Sequence, residues 1–267
     1  MRALAVIGHL AHDVIGGGAA KIGGAPWYAG RALHLLGQEA VLFAKCGEPD
    51  RAAFQRRLAA LGLPASLAVG GATPRFAFSY DADGARTMTV EQVGEPWRTD
   101  EPPGMLLRRV EWLHVAPLLR GDFDASALER IGLGRRLMLD AQGLVRVPEV
   151  GPLRLDADYD PAMLRHVAIL KVAEDEANVL VGSADPEALA ELGVPELVLT
   201  LGANGSVVIV RGHAEHVPAR PVGNGADPTG AGDAFGVAYL AARADGHAPA
   251  SAARRATALV AALMMSR

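Results

Sequence analysis

The chain has 267 residues, is 50% hydrophobic and 21% charged, and carries a formal net charge of −4. This length suits one large α/β domain or two small ones, and the absence of a long basic run argues against a nucleic-acid surface. A single cysteine, Cys46, excludes an internal disulfide framework. The sequence has no signal peptide and no apolar stretch of about 18 residues, so we expect a cytoplasmic protein without a membrane span.

The first quarter of the chain predicts alternating strands and helices. An apolar run at 4–8 ends in glycine, as a buried parallel strand does, and a helix at 26–36 begins with proline. A second strand at 40–44 and a second helix at 50–61 follow. This alternation predicts a parallel sheet with helices on its faces.

The pattern changes at 75–90, where two alternating segments flank a turn that contains Asp-Gly. Such a pair predicts an antiparallel hairpin, which is out of place in a doubly wound sheet. We interpret it as a small β excursion that covers a site. Phe76, Phe78 and Tyr80 alternate along it and share one face.

Alternation then resumes and continues to the C-terminal helices. The remaining predicted elements are strand 112–115, helix 126–133, strand 136–139, strand 167–171, helix 174–181, strand 197–201, hairpin 206–210 with 213–217, and helices 232–243 and 250–265.

The most informative stretch is 227–235, which reads Asp-Pro-Thr-Gly-Ala-Gly-Asp-Ala-Phe before an apolar helical run. Unobstructed backbone amides at a helix N-terminus form an anion pocket. A phosphate in such a pocket would repel the carboxylate of Asp233 at its edge, so the presence of this residue needs a chemical reason. Removing a proton from a hydroxyl that attacks the phosphorus is such a reason. The alternative is a first-turn acid that the helix dipole favours.

Polar groups follow the first strand, at the edge where open α/β sheets bind ligands. The two carboxylate oxygens of Asp13 could accept hydrogen bonds from neighbouring hydroxyls of a polyol, or Asp13 could be an ordinary loop cap. Gly23 and Gly24 precede the first helix, where they could let a small substrate approach the backbone. A flexible connection is the alternative.

Three later strand ends also carry candidate ligands. Thr200 and the Gly202 to Gly205 turn could face nucleotide phosphates, although many structural turns look alike. Arg146 could face phosphate oxygens or form a surface salt bridge. A carboxylate in the acidic turn 174–176 could hold Mg²⁺ through water. A P-loop motif is absent, and a dinucleotide-binding fingerprint is poorly supported.

Taken in order, these pieces resemble the ribokinase-like (PfkB) carbohydrate kinase family, over nearly the whole chain. Residues 227–235 resemble that family's D-T-T-G-A-G-D-x-F signature most strongly. The resemblance implies one α/β domain over 1–267 with three α/β/α layers, a mostly parallel central sheet and a small β lid formed by about 14–22 and 72–98. It also implies phosphoryl transfer from ATP to a sugar or polyol hydroxyl, and a homodimer formed through the lid.

The same resemblance assigns roles to individual positions. It makes Asp233 the catalytic base, Gly230, Ala231 and Gly232 the anion hole, Asp13, Gly23, Gly24 and Arg146 substrate contacts, Thr200, Gly202 and Gly205 nucleotide contacts, Glu176 an Mg²⁺ ligand through water, and Asp227 a ligand of a monovalent cation such as K⁺.

Two positions depart from the family pattern. Tyr28 replaces the usual Asn of G-G-x-x-x-N, and Ala173 replaces the Asn of N-x-x-E. Within the family, the glycines near Asp13 and the string 140–146 look most like a myo-inositol-kinase-like branch. A nucleoside kinase of the same fold, or a catalytically silent binding protein, are the alternatives.

Overall fold

The computed structural model describes residues 3–80, 86–98, 100–101, 104–222 and 228–265. Its strands, in chain order, are β1 Ala3–His9, β2 Ala11–Ile15, β3 Lys21–Gly23, β4 Ala40–Gly47, β5 Ala65–Gly70, β6 Arg75–Tyr80, β7 Arg86–Gln92, β8 Val110–Ala116, β9 Arg136–Asp140, β10 Gly151–Pro152, β11 Val167–Ala173, β12 Glu196–Thr200, β13 Ser206–Val210 and β14 His213–Val217. Its helices are α1 Ala25–Leu36, α2 Arg51–Ala59, α3 Gly104–Leu107, α4 Ala125–Gly132, α5 Gln142–Val145, α6 Glu174–Val181, α7 Pro186–Ala190, α8 Ala231–Ala244 and α9 Pro249–Met265.

The large sheet has the strand order β14-β13-β12-β11-β9-β8-β1-β4-β5. Strands from β12 to β5 run parallel, and β13 and β14 complete one edge in antiparallel fashion. The chain starts at β1 and later adds strands on both of its sides. This change of direction creates a topological switch point between β1 and β8, where ligands of open α/β sheets bind.

Alternating residues of each buried strand feed two separate cores. In β1, Leu4 and Val6 pack in one core with α1, α2, α8 and α9, while Ala5 and Ile7 pack in the other with α3 to α7. Side chains of successive strand residues point to opposite faces, so apolar runs such as 4–7 need cover on both sides. The result is the predicted three-layer α/β/α arrangement with a mostly parallel sheet.

A second, small sheet has the order β10-β7-β6-β2-β3. The predicted hairpin is confirmed as the antiparallel pair β6 and β7 of this sheet, although its turn at 81–85 lies outside the described residues. Phe76, Phe78 and Val90 pack on Leu118 and Leu119, which follow β8 of the large sheet. The small sheet therefore lies over the carboxyl edge of the large one.

The chain passes between the two sheets within a narrow band next to Leu10 and Pro74. The amide of Leu10 donates to Lys45 O (2.9 Å), and the amide of His12 donates to Pro74 O (2.9 Å). Gly24 has φ +89°, and a Cβ there would overlap the carbonyl oxygen of His9. Glycine is required at this crossing both for its left-handed backbone and for its missing side chain.

Some sequence predictions were wrong in detail. Asp13 does not lie in a loop after the first strand, because a new strand, β2, begins two residues after β1 ends. The short strands β3 and β10 and the short helices α3, α5 and α7 were not predicted. Each contains too few residues for a hydrophobic period to be recognised in the sequence. None of the helices in the described ranges is long and apolar enough to cross a membrane.

Candidate active site

A cavity of about 380 Å³ lies between the small sheet and the carboxyl edge of the large sheet. Most of the predicted site residues line it: Asp13, Gly24, Arg146, Glu176, Thr200, Gly230, Gly232 and Asp233. Residues from β9, β11 and β12 meet here because the carboxyl ends of parallel strands share one edge of a sheet, and β2 of the small sheet faces them.

The loop before α8 places Asp233 in the first turn of a helix. Gly230 is the N-cap with φ +75°, and Asp233 is the acid of the first turn. The amide of Ala231 donates to Pro228 O (2.9 Å), whereas no described residue accepts a hydrogen bond from the amides of Gly232 or Asp233. First-turn amides without carbonyl partners favour anions, especially with the helix dipole behind them.

Tyr28 connects the anion pocket to the opposite wall. Its hydroxyl donates to Asp13 Oδ2 (2.8 Å), and a Cβ at Gly230 would overlap its ring. A Cβ at Gly23 would overlap the carboxylate of Asp13. Gly24 therefore lines the cavity, while Gly23 packs behind Asp13 and supports it.

A cluster of buried charges forms the floor of the cavity. Lys171 Nζ donates to Asp140 Oδ2 (2.8 Å), and both side chains are almost fully buried. Glu176 accepts from the amide of Ala173 (2.8 Å) and lies 3.9 Å from Arg146 Nη2. Asp233 completes the cluster, because it lies close enough to Asp140, Lys171 and Arg146 to interact electrostatically with all three.

The electrostatics of this cluster tune its acids. Burial raises the pKa of Asp233 to about 7, helped by the negative charge of Asp140 and opposed by Lys171 and Arg146. Burial and Asp140 also raise the pKa of Glu176. Burial lowers the pKa of Lys171, but Asp140 and Glu176 outweigh that effect and raise it overall. A carboxylate with a pKa near neutrality is suited to general-base chemistry.

A second cavity, of about 390 Å³, adjoins the first at Thr200, Pro228 and Gly232. The predicted nucleotide contacts Thr200, Gly202 and Gly205 line it, and its far walls are apolar: Ala219, Val222, Phe235, Val260, Ala261 and Met264. The hydroxyl of Thr200 donates to Val172 O (3.3 Å). Gly232 thus separates a charged cavity from an apolar one.

Sequence reasoning missed several residues that line the site. Asp140 and Lys171 were noted only as parts of strand ends, and Met88 was not noted; it forms an apolar wall from the small sheet with Phe76 and Phe78, whose shared face was predicted. Charged residues at the ends of apolar strands were the available signal for the first two. Asp227 lies outside the described residues, which contain no cluster of three or more metal-ligating side chains.

Comparisons with known proteins agree with this architecture. The sequence profile of the pfkB family carbohydrate kinases matches residues 18–267. Aminoimidazole riboside kinase of Salmonella typhimurium is 29% identical over 247 residues, which cover 84% of this chain and 74% of that protein.

Two solved structures show the same fold. A pyrophosphate-dependent kinase of the ribokinase family, complexed with a pyrophosphate analog and myo-inositol, superposes with a TM-score of 0.85 at 22% identity, over 99% of this chain and 95% of the other. Arabidopsis thaliana ribokinase, complexed with ribose and ATP, gives a TM-score of 0.76 at 19% identity, over 97% and 91%.

Proposed function

Because this chain belongs to the pfkB family of carbohydrate kinases, we propose that it transfers the γ-phosphoryl group of ATP to a hydroxyl of a polyol or sugar, with Asp233 as general base. The observation that carries the proposal is the position of Asp233. It has a pKa of about 7 and lies in the first turn of α8, where a charged cavity meets an apolar one.

In the proposed reaction, Asp233 accepts the proton of the acceptor hydroxyl as its oxygen attacks the γ-phosphorus. The bond from phosphorus to the β,γ-bridging oxygen breaks, and ADP leaves with that electron pair. The amides of Gly232 and Asp233 and the ammonium of Lys171 stabilise the charge on the transferring group. Asp140 holds Lys171 in position through their 2.8 Å hydrogen bond.

The apolar cavity supports a nucleotide as donor. Its 390 Å³ and its walls from α8 and α9 suit a flat adenine ring beside the Gly202 to Gly205 turn. Pyrophosphate is the competing donor, since a structurally similar kinase depends on it. It would leave the apolar walls without a ligand group to cover them.

Mg²⁺ would neutralise charge on the donor phosphates when bound. The carboxylate of Glu176 suits a contact through water, because Mg²⁺ prefers oxygen ligands and keeps much of its hydration. The proposals that Asp227 helps bind K⁺, that residues 14–22 and 72–98 act as a lid and dimer contact, and that the protein is cytoplasmic remain predictions.

A cyclitol such as myo-inositol is the acceptor we favour. Asp13 and the Tyr28 hydroxyl form a paired polar contact suited to neighbouring ring hydroxyls. The cavity of 380 Å³ lies near the lower end of the ~300–1,000 Å³ range of ligand pockets, which favours one ring over a nucleoside. A nucleoside is the second candidate, because Phe76, Phe78 and Met88 offer a wall for a base.

The test is ATP- or pyrophosphate-dependent phosphorylation of myo-inositol, ribose and nucleosides in competition. We expect ATP and a cyclitol or sugar to support turnover, and Asp13→Asn to raise the KM of the acceptor. If pyrophosphate supports turnover and ATP does not, the proposed donor is wrong. If nucleosides are phosphorylated and cyclitols and sugars are not, the proposed acceptor class is wrong.

A further inference from the structure

A third cavity, of about 610 Å³, lies on the other side of Tyr28 from the acceptor cavity. It is open to solvent and is lined by the strands β2 and β3 and by the helices α1 and α2. Tyr28 and Thr229 line both cavities. Nothing in the proposed reaction uses this space, although it shares a wall with the reaction site.

The walls of this cavity are basic. Lys21 from β3, Arg31 from α1 and Arg57 from α2 all line it, and no aspartate or glutamate does. Within the described part of the chain, none of these three cations forms an ion pair or a side-chain hydrogen bond. The chain as a whole carries more acidic than basic residues (30 against 26), whereas the charged residues that line this cavity are all basic.

Two carboxylates next to the cavity are already engaged: Asp13 accepts from the Tyr28 hydroxyl, and Asp50 contacts His12 and Thr73. His12 also lines the cavity, and its Nε2 lies 3.0 Å from Asp50 Oδ2. The same oxygen of Asp50 accepts a hydrogen bond from the hydroxyl of Thr73 (2.6 Å). Asp50 is thus held by two partners at the cavity's edge, and it does not neutralise the guanidinium groups.

The remaining walls are apolar. Ile22 and Trp27 are half-buried, and Phe54 is buried against the ring of His12 at 5.2 Å between centroids. The cavity therefore offers cations for an anionic group and an apolar surface for a carbon skeleton. Guanidinium groups match the oxygens of phosphate in two-point contacts, and an ammonium adds a point charge.

We propose that this cavity binds a small phosphate monoester of a sugar or polyol, at a site separate from the one where phosphoryl transfer occurs. Lys21, Arg31 and Arg57 bind the phosphate, and Trp27 packs on the carbon chain. Because Tyr28 lines both cavities and bonds Asp13, an occupant here alters acceptor binding.

The experiment measures binding without turnover. Ribose 5-phosphate and glycerol 3-phosphate are titrated into the full chain by calorimetry and by tryptophan fluorescence, with ribose as the uncharged control. Trp27 is the reporter, since Trp97 and Trp112 are buried. We expect both esters to bind and to change the fluorescence, and ribose 5-phosphate to change the KM of the acceptor.

Substitutions of the arginines in this cavity test whether they bind the phosphate. Arg31→Gln with Arg57→Gln should weaken ester binding by at least about tenfold, since hydrogen bonds between charged groups are lost. Arg56→Gln, an exposed neighbour in α2 outside the cavity, is the matched control and should bind as wild type. Lys171→Met, which alters the anion pocket of the reaction site, should also retain binding.

Three results would overturn the proposal. These are no binding of either ester to the wild-type chain, unchanged binding by the double variant, or loss of binding in Lys171→Met alone. Circular dichroism checks that each variant is folded. If the double variant does not fold, the single variants Arg31→Gln and Arg57→Gln, each expected to bind more weakly, take its place.

Discussion

Two clusters of buried charged residues lie at the carboxyl edge of the large sheet. The first is centred on β1 and β4. Lys45 Nζ donates to Glu101 (2.8 Å) and to Pro96 O (2.8 Å), and His9 contacts Asp122 (3.3 Å) and Glu95 O (2.8 Å). Each cation has its own carboxylate, and the cluster holds Glu95, Pro96, Glu101 and Asp122 onto the sheet.

The second cluster, centred on β9 and β11, differs from the first in its ratio of acidic to basic groups and in its exposure to a cavity. Among the described residues that line the cavity, Asp140, Glu176 and Asp233 share two cations, Lys171 and Arg146. Burial, together with the negative charge of Asp140, raises the pKa of Asp233 to about 7. Balanced charges stabilise a fold, whereas an unbalanced group at a cavity is poised to exchange a proton. The following predictions test this contrast.

The largest effect is expected for Asp233→Asn, which keeps the shape of the side chain but cannot accept a proton. Turnover should fall by about 10²–10⁴-fold, with nucleotide binding largely retained. Asp245→Asn, at the other end of α8, is the control and should remain active. Steady-state kinetics of both variants measure the effect. Near wild-type turnover in Asp233→Asn would show that Asp233 is not the general base.

Two buried lysines at the same edge form a matched pair. Lys171→Met should lower kcat/KM by about 10²–10³-fold, because a charge is lost beside the transferring group. It should also move the acidic limb of the pH profile above 7, since Lys171 lowers the pKa of Asp233.

Lys45→Met should instead lower the free energy of unfolding, by up to about 3 kcal/mol, because it leaves the partly buried carboxylate of Glu101 without its cation. Denaturant unfolding measures this loss, and Lys45→Met with Glu101→Gln should recover part of it. The position of the pH limb should not change. If both lysine variants shifted the pH limb alike, the contrast between the clusters would be wrong.

A smaller effect is expected from Asp140→Asn on the pH dependence. Asp140 raises the pKa of Asp233, so its removal should move the pKa that governs kcat/KM below 7. Activity depends on the deprotonated base, and the variant should therefore keep more of its maximal rate at pH 6 than wild type. An unchanged limb would mean that another group controls it.

The smallest effect concerns His9. Burial lowers its pKa, but Asp122 and Glu95 O outweigh this and raise it overall. The raised pKa stabilises the fold fully below pH 6.5 and ceases to do so as pH rises through the folded value. His9→Gln should therefore narrow the difference in melting temperature between pH 6 and pH 8 by a few degrees, as thermal denaturation would show.

The sequence predicted the alternating elements and the position of Asp233 well, because long apolar periods and a nine-residue motif carry local information. Family matching confirms the fold and the kinase class. The pairing of Asp140 with Lys171, and of Tyr28 with Asp13, could not be predicted. These partners lie 31 and 15 residues apart and meet only once the sheet edge and the small sheet are assembled.

The small sheet is attached to the large sheet at the narrow band where the chain crosses between them. Backbone hydrogen bonds anchor the sheet beside Leu10 and Pro74. Asp13 is level with Phe76 in the strand register, and Phe78 lies two positions farther out, about 7 Å along the strand. Any rocking about the band displaces a point in proportion to its distance from it. Asp13 therefore lies closer to this band than Phe78 does, and a rotation about the band would displace Asp13 less than Phe78.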